Sequence, residues 1–149
     1  MSKKSGKIAE CIAALQGRDQ PAHYLGFFVC FNEQRFYEAH DVLEELWLPD
    51  RHGPNGDFFK GLIQLAGAFV HLQKERLQPS AALFKLARTN LLKYPPRHER
   101  LDVAAVLQLI EVWLGGLETD AFKVNPLRGR TGPWAVAPKL QHAGPVRLP

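Results

Sequence analysis

Hydrophobic side chains recur along much of the chain with the spacing of an α-helix. The clearest segment is Arg35–Leu48, in which Phe36, Leu43 and Trp47 fall on one line of a helical wheel. Acidic side chains project from another side, and Pro49 ends the segment. The pattern predicts an amphipathic helix over these residues, followed by a loop rich in glycine and proline.

A second segment, from Phe58 to about Lys74, is apolar on almost every side. Helices without a polar face lie in the middle of a protein, so this one is predicted to be the central helix. We expect Asp57 to cap its N-terminus. Gly61 and Gly67 leave room for closely packed neighbours, although a glycine inside a helix costs about 1 kcal/mol relative to alanine.

Four further segments are interpreted as helices, and no strand or hairpin signal precedes residue 119. They are Lys7–Leu15, a helix with Pro21 in its first turn that stops at Asn32, a helix opened by Pro79 and closed by Pro95 and Pro96, and a helix capped by Asp102 that reaches Leu117. The chain is therefore predicted to be all-α. We expect a single compact bundle of five to six helices around the central apolar helix, formed by residues 1–118.

Residues 119–149 differ in composition from the rest of the chain. Five of the eleven prolines lie here and no helical period is visible, which is typical of an extended, disordered and irregular C-terminal tail. We expect Trp134 to anchor this tail on its own domain or on a second subunit, because an indole offers a large apolar area.

The tail also carries the whole net charge of +4. Residues 1–118 contain fourteen Lys or Arg and fourteen Asp or Glu, whereas the tail contains five basic residues and one acidic residue. The neutral body lacks the basic composition with which proteins follow phosphates, so a nucleic-acid partner is not favoured. A nucleic-acid or membrane-surface accessory that binds through the basic tail is one alternative hypothesis.

Length and cysteine content favour one cytoplasmic domain. The 149 residues suffice for a core without disulfide or metal staples. No stretch approaches the roughly 18 apolar residues of a membrane-spanning helix, and the basic N-terminus is not followed by the apolar run of a signal peptide. Cys11 and Cys30 form no CxxC pair, so we expect reduced thiols in a cytoplasmic protein.

The Arg35–Leu48 helix and the central helix each carry a stripe of polar side chains at helical spacing. Burying such groups unpaired costs about 1–3 kcal/mol apiece, so the two stripes should face each other. We call this arrangement the polar seam. Its members are His40, Glu44 and Trp47 on the first helix and Lys60, Gln64 and His71 on the second.

Several interpretations of the polar seam stay open at the level of sequence. It can be a structural network that fixes helix register, a pocket for a small organic ligand, or a divalent-metal site formed by His40, Glu44 and His71. An acid–base enzyme using the same three residues is a further alternative, but no serine or cysteine lies in a nucleophile motif. The sequence favours a non-enzymatic binding or interaction domain without a resident cofactor. Gly61 and Gly67 offer close packing either within the chain or in a homo-oligomer.

Taken together, these residues resemble the domain-of-unknown-function 309 family. The resemblance covers about Ala22 to Leu117. It rests on Phe31-Asn32, on Phe36-Tyr37-Glu38-Ala39-His40-Asp41-Val42-Leu43-Glu44-Glu45-Leu46-Trp47, on Phe59-Lys60-Gly61-Leu62-Ile63-Gln64-Leu65-Ala66 and on His71. It implies a small all-helical protein and supplies no activity. The defining positions of the family map onto Glu38, His40, Glu44, Trp47, Gly61, Gln64 and His71.

Two positions depart from the pattern of the family. Asp41 stands where glutamate is usual, which shortens a carboxylate arm and weakens the case for a ligand at that position. Gln34 stands where a turn glycine is common. The resemblance therefore implies a strained or altered turn between the second and third helices.

Overall fold

The structure is a computed structural model that describes residues 6–119, 121–128 and 138–140. The predicted all-α bundle is confirmed, and none of the helices in these ranges is long and apolar enough to cross a membrane. The helices are α1 (Gly6–Leu15), α2 (Ala22–Asn32), α3 (Phe36–Trp47), α4 (Gly56–Gln73), α5 (Leu77–Leu91) and α6 (Val103–Thr119). A short 3-10 turn, Leu48–Asp50, follows α3, and two short strands, β1 (Arg97–His98) and β2 (Leu101–Asp102), lie between α5 and α6.

Helix α4 is the central helix, packed between α3 and α5 with most of its side chains buried. It begins two residues before the predicted start, because the Asn55 carbonyl accepts a helical bond from the Phe59 N–H at 2.9 Å. Asp57 is therefore not the cap that the sequence suggested. It lies in the first turn, where its carboxylate accepts a bond from Lys93 Nζ at 2.8 Å.

The antiparallel pairing of β1 with β2 corrects the expectation that no strand precedes residue 119. Both turn residues, Glu99 and Arg100, have positive φ (49° and 61°), as in a two-residue hairpin. Such a turn is normally signalled by Asn-Gly or Asp-Gly, which this chain lacks here. The Tyr24 hydroxyl donates to the Glu99 carbonyl at 2.7 Å, so contact with α2 stabilises the turn. The predicted cap of α6 is confirmed, since the Ala105 N–H donates to Asp102 Oδ1 at 3.0 Å.

Helix α2 ends at Asn32, as predicted, and the turn to α3 contains Gln34 at φ 66°. The Arg35 N–H donates to the Cys30 carbonyl at 2.8 Å, and the Gln34 N–H donates to the Phe31 carbonyl at 2.9 Å. These two bonds define a Schellman motif, whose left-handed residue is usually glycine. The altered turn implied by the family resemblance is therefore centred on Gln34.

Parts of the C-terminal tail lie against the helical bundle, which corrects the expectation of disorder for those residues. Asn125 is buried, and its Nδ2 donates to the Leu72 carbonyl near the end of α4 at 2.7 Å. Leu140 belongs to the hydrophobic core and is only 5% exposed. Trp134, the predicted anchor, lies outside the described residues.

Candidate ligand site between α3 and α4

The polar seam lies where α3 and α4 pack against each other in opposite directions. A Cβ atom placed on Gly67 would lie 3.9 Å from His40 Cδ2. Near the start of α3, the Gln73 side chain donates to the Gln34 carbonyl at 3.3 Å. Residue numbers therefore fall along α4 as they rise along α3, and the helices are antiparallel.

This register brings the two polar stripes to the same interface. Gln64 and His71 lie three residues before and four residues after Gly67, on the same face of α4. Because His40 lies against Gly67, it sits between Gln64 and His71 along the length of α4. Glu44 lies one turn further along α3, on the side towards Gln64.

The seam residues do not pair with one another in the described part of the chain. The sequence suggested that Glu44 pairs with the His40 imidazole. In the structure the partner is Asp41 instead, since His40 Nδ1 lies 3.2 Å from Asp41 Oδ1. Gln64 Oε1 accepts a bond from Asn90 Nδ2 of α5 at 2.8 Å. The expected closed network between α3 and α4 is therefore replaced by two bonds to residues outside the seam.

Two nitrogen atoms of the seam are buried and have no hydrogen-bond partner among the described residues: Trp47 Nε1 and His71 Nδ1. An indole N–H can only donate, whereas an imidazole nitrogen donates or accepts according to its tautomer. Leaving such a group buried and unbonded costs about 1–3 kcal/mol.

His71 is held in the neutral form. Burial lowers the pKa of its imidazole below the ordinary value of 6.5, and the nearby positive charges of Arg76 and Lys74 lower the pKa further. A neutral imidazole with one buried nitrogen suits hydrogen bonding to an uncharged polar group.

The seam is partly exposed to solvent, and we call its exposed face the groove. The His40 side chain is 32% exposed, Glu44, Gln64 and Trp47 are half-buried, and Lys60 is exposed. Gly67 forms part of the floor, since it carries no side chain and a Cβ there would lie 3.1 Å from Leu83 Cδ1 of α5. His40 of α3 and Leu83 of α5 therefore flank Gly67.

Leu83 and Asn90 of this region were not assigned to the site by sequence reasoning, which considered Asp41 only as a possible metal ligand. Asp41 falls towards the acidic face of the α3 helical wheel, yet its side chain is only 16% exposed. Asn90 is a buried amide among the inward positions of α5, which is the signal that would have marked it as a partner for another polar side chain. Leu83 gives no such signal, because apolar residues at helical spacing are ordinary core residues.

The metal hypothesis concerns His, Cys, Asp and Glu side chains within the described ranges 6–119, 121–128 and 138–140. No group of three or more His, Cys, Asp or Glu side chains in these ranges is arranged to hold a metal ion. A separate open cleft of about 520 Å³ is lined by residues 48–53 and contains none of the seam residues. This cleft lies on a surface loop and is open to solvent, whereas the seam contains buried groups without partners among the described residues.

Comparison with known proteins confirms the resemblance to a family. The family model named "Domain of unknown function (DUF309)" matches residues 24–83, a range that contains all six seam residues. A curated relative, the uncharacterized protein YpuF of Bacillus subtilis (strain 168), is 29% identical over 110 residues. That alignment covers 69% of this chain and 62% of YpuF, so the chain spans less than two thirds of the length of this relative. No solved structure matches the chain.

Proposed function

We propose that the protein is a non-enzymatic binding domain that takes up a small polar molecule in the groove between α3 and α4. The observation that carries this proposal is the pair of buried, unbonded nitrogen atoms, Trp47 Nε1 and His71 Nδ1, which belong to half-buried side chains of the seam. In the antiparallel register the two atoms lie near opposite ends of the seam, so a compact molecule bonds one of them and removes a penalty of about 1–3 kcal/mol there.

The side chains around the groove define the chemistry of the molecule. Trp47 requires a hydrogen-bond acceptor, and the half-buried Glu44 carboxylate accepts a bond from a donor. Neutral His71 serves either kind of group. A compact molecule that has both a carbonyl oxygen and an N–H group, such as a carboxamide or an amino acid, fits this combination.

The acid–base alternative would use His40, Glu44 and His71 in the same groove. It requires Glu44 to orient His40, whereas the His40 ring is bonded to Asp41. A divalent-metal site would use the same three residues. Binding without chemistry therefore demands fewer rearrangements of these side chains than either alternative.

The proposal is tested by nuclear magnetic resonance on the ¹⁵N-labelled full chain. Acetamide, glutamine and glycine are titrated separately, and the indole N–H signal of Trp47 is assigned with a Trp47→Phe variant. We expect a saturable shift of the Trp47 signal or of the His71 ring signals with at least one of these probes. The indole of Trp113, which is buried on α6, is the internal control and should not move.

A Gly67→Ala variant supplies the matched steric control, because the added methyl group occupies the floor of the groove beside His40. The proposal predicts that this variant loses the shift. Failure of all three probes to give a saturable shift would contradict the proposal. Stoichiometric zinc that is lost from a His71→Ala variant would favour the metal alternative, and turnover of a bound probe would favour the enzyme.

A further inference from the structure

The tail contacts the turn between α2 and α3 through its main chain. Asn32 Nδ2 donates to the Leu140 carbonyl at 3.3 Å, and the Leu140 N–H donates to Asn32 Oδ1 at 2.8 Å. One amide side chain thus satisfies both main-chain groups of one residue. Gln34 Nε2 donates to the Pro138 carbonyl at 2.9 Å, which adds a third bond to the main chain.

The side chains of this segment divide into two kinds. Pro138 and Leu140 are buried, and Leu140 packs into the hydrophobic core of the bundle. Lys139, between them, is exposed. The turn therefore selects the first and third residues of the segment and leaves the second one free.

We propose that this turn is a peptide-recognition site for an extended Pro-x-Leu segment, which residues 138–140 of the chain itself occupy. We call it the α2–α3 shelf and define it by the side chains of Asn32 and Gln34 and the pocket that takes Leu140. Hydrogen bonds to the main chain supply affinity that does not depend on sequence, while the apolar pocket supplies specificity, as in other sites that bind extended peptides.

The conformation of Gln34 supports a dedicated role in this contact. Its φ of 66° is unfavourable for a residue with a Cβ, and glycine would adopt it without strain. Glycine, however, has no amide with which to bond the Pro138 carbonyl. The shelf thus contains a strained residue whose side chain reaches the peptide.

A partner with a Pro-x-Leu segment has to displace the chain's own tail. A tethered segment acts at an effective concentration of about millimolar for a short flexible link, so a free peptide competes poorly with it. Weakening the tail should therefore open the shelf to a peptide supplied from outside.

The test uses the full chain and a fluorescein-labelled peptide with the sequence of residues 136–142, measured by fluorescence anisotropy. A Leu140→Asp variant keeps the shelf but releases the tail, and we expect it to bind the peptide at least about tenfold more tightly than the wild type. A control peptide with aspartate in place of the leucine should not bind. Adding Asn32→Ala to the Leu140→Asp variant should abolish binding, because both main-chain bonds of the leucine are lost.

Equal binding by wild type and Leu140→Asp would overturn the proposal, as would undiminished binding after Asn32→Ala or equal binding of the control peptide. Circular dichroism establishes that each variant is folded. If Leu140→Asp unfolds, the Leu140→Ala variant, which keeps an apolar residue and releases the tail less completely, is compared with wild type in the same assay.

Discussion

Gln34 adopts a left-handed backbone conformation that costs an L-residue with a Cβ roughly 1–2 kcal/mol. Its side chain offsets part of this cost by bonding to the Pro138 carbonyl. Two substitutions separate these contributions, since Gln34→Ala keeps the strain and loses the bond while Gln34→Gly loses both. We expect the free energy of unfolding of Gln34→Gly, measured by urea denaturation, to exceed that of Gln34→Ala by about 1 kcal/mol.

The comparison between these two variants does not depend on how much the lost bond contributes, because both variants lack it. A Gln34→Ala variant as stable as Gln34→Gly would show that the turn relaxes out of the left-handed conformation when the amide is absent.

His71 gives the protein a pH dependence with a definite sign. Its pKa in the folded protein is lowered by burial and by Arg76 and Lys74. As the pH falls through the ordinary pKa of 6.5, position 71 therefore binds a proton more readily in the unfolded chain than in the folded chain. The stabilisation is fully present above that value and is lost as the pH falls through it. Between about pH 7.5 and 5.5, wild type should therefore lose more unfolding free energy than a His71→Gln variant, which cannot titrate. Equal losses in thermal or urea unfolding would contradict the lowered pKa.

At the scale of single residues, the sequence predicts which side chains share a helix face but not which partners they choose. Helical spacing alone placed His40 and Gln64 on facing stripes, and the register beside Gly67 agrees with that placement. The choice of Asp41 for His40 and of Asn90 for Gln64 depends on side-chain torsions and on a buried amide from a third helix. Periodicity carries no information about either.

Helix α4 contains two glycines that have the same helical conformation and different neighbours. A Cβ on Gly61 would lie 3.0 Å from Leu91 Cγ and 3.2 Å from Asn90 Cβ, atoms close to the backbone of buried residues. A Cβ on Gly67 would meet Leu83 Cδ1 at 3.1 Å, the far end of a half-buried side chain that can rotate away.

These surroundings predict opposite signs for two alanine substitutions. Gly67→Ala should raise the free energy of unfolding by up to about 1 kcal/mol through helix propensity. Gly61→Ala should lower it, because overpacking a core costs typically about 1–3 kcal/mol and exceeds the same gain. The two variants are compared by thermal unfolding. A stabilised Gly61→Ala would mean that α4 and α5 separate easily, contrary to the close contact of Gly61 with Leu91.

At the scale of elements, the helices were predictable and the hairpin was not. Long apolar periodic segments such as α4 are recognisable in the sequence, and only their observed ends differ from the predicted ends by a residue or two. The turn of the β1–β2 hairpin uses Glu99 and Arg100 at positive φ, without the residues that normally favour it. Contacts from residues remote in sequence stabilise it, since Tyr24 and Gln20 both donate to the Glu99 carbonyl and Arg100 pairs with Asp19.

At the scale of the whole molecule, the tail is partly built into the bundle. Residues 121–128 and 138–140, the part of the tail that the structure describes, contain no helix or strand. Their docking depends on single polar side chains, Asn32 and Asn125, that bond to a distant main chain, and composition does not reveal such contacts. One of its basic residues is also engaged, since Arg128 Nε donates to Glu75 Oε1 at 3.2 Å. Truncating residues 119–149 to test a nucleic-acid or membrane role would therefore also remove Leu140 from the core. Point substitutions of exposed basic residues such as Lys123 or Lys139 give a cleaner test.

Asn125 joins the tail to the C-terminal end of α4 and gives the last prediction. Its Nδ2 donates to the Leu72 carbonyl at 2.7 Å and to Glu75 Oε2 at 2.6 Å. Asn125→Ala should lower the free energy of unfolding by about 1 kcal/mol, because a buried bond to the Leu72 carbonyl is lost while the Glu75 N–H still donates to that carbonyl at 3.1 Å. The exposed Lys123 lies on the same segment, and Lys123→Ala should change stability by no more than about 0.5 kcal/mol.

The same contact gives a pH dependence. The Asn125 bond, aided by Arg128, lowers the pKa of Glu75, so the stabilisation from the ionised Glu75 carboxylate is present above the ordinary carboxylate range and is lost as the pH falls. Asn125→Ala should therefore also show a smaller loss of stability on acidification than Lys123→Ala. Equal urea-unfolding free energies and acid profiles for the two variants would mean that the tail is not coupled to the bundle through Asn125.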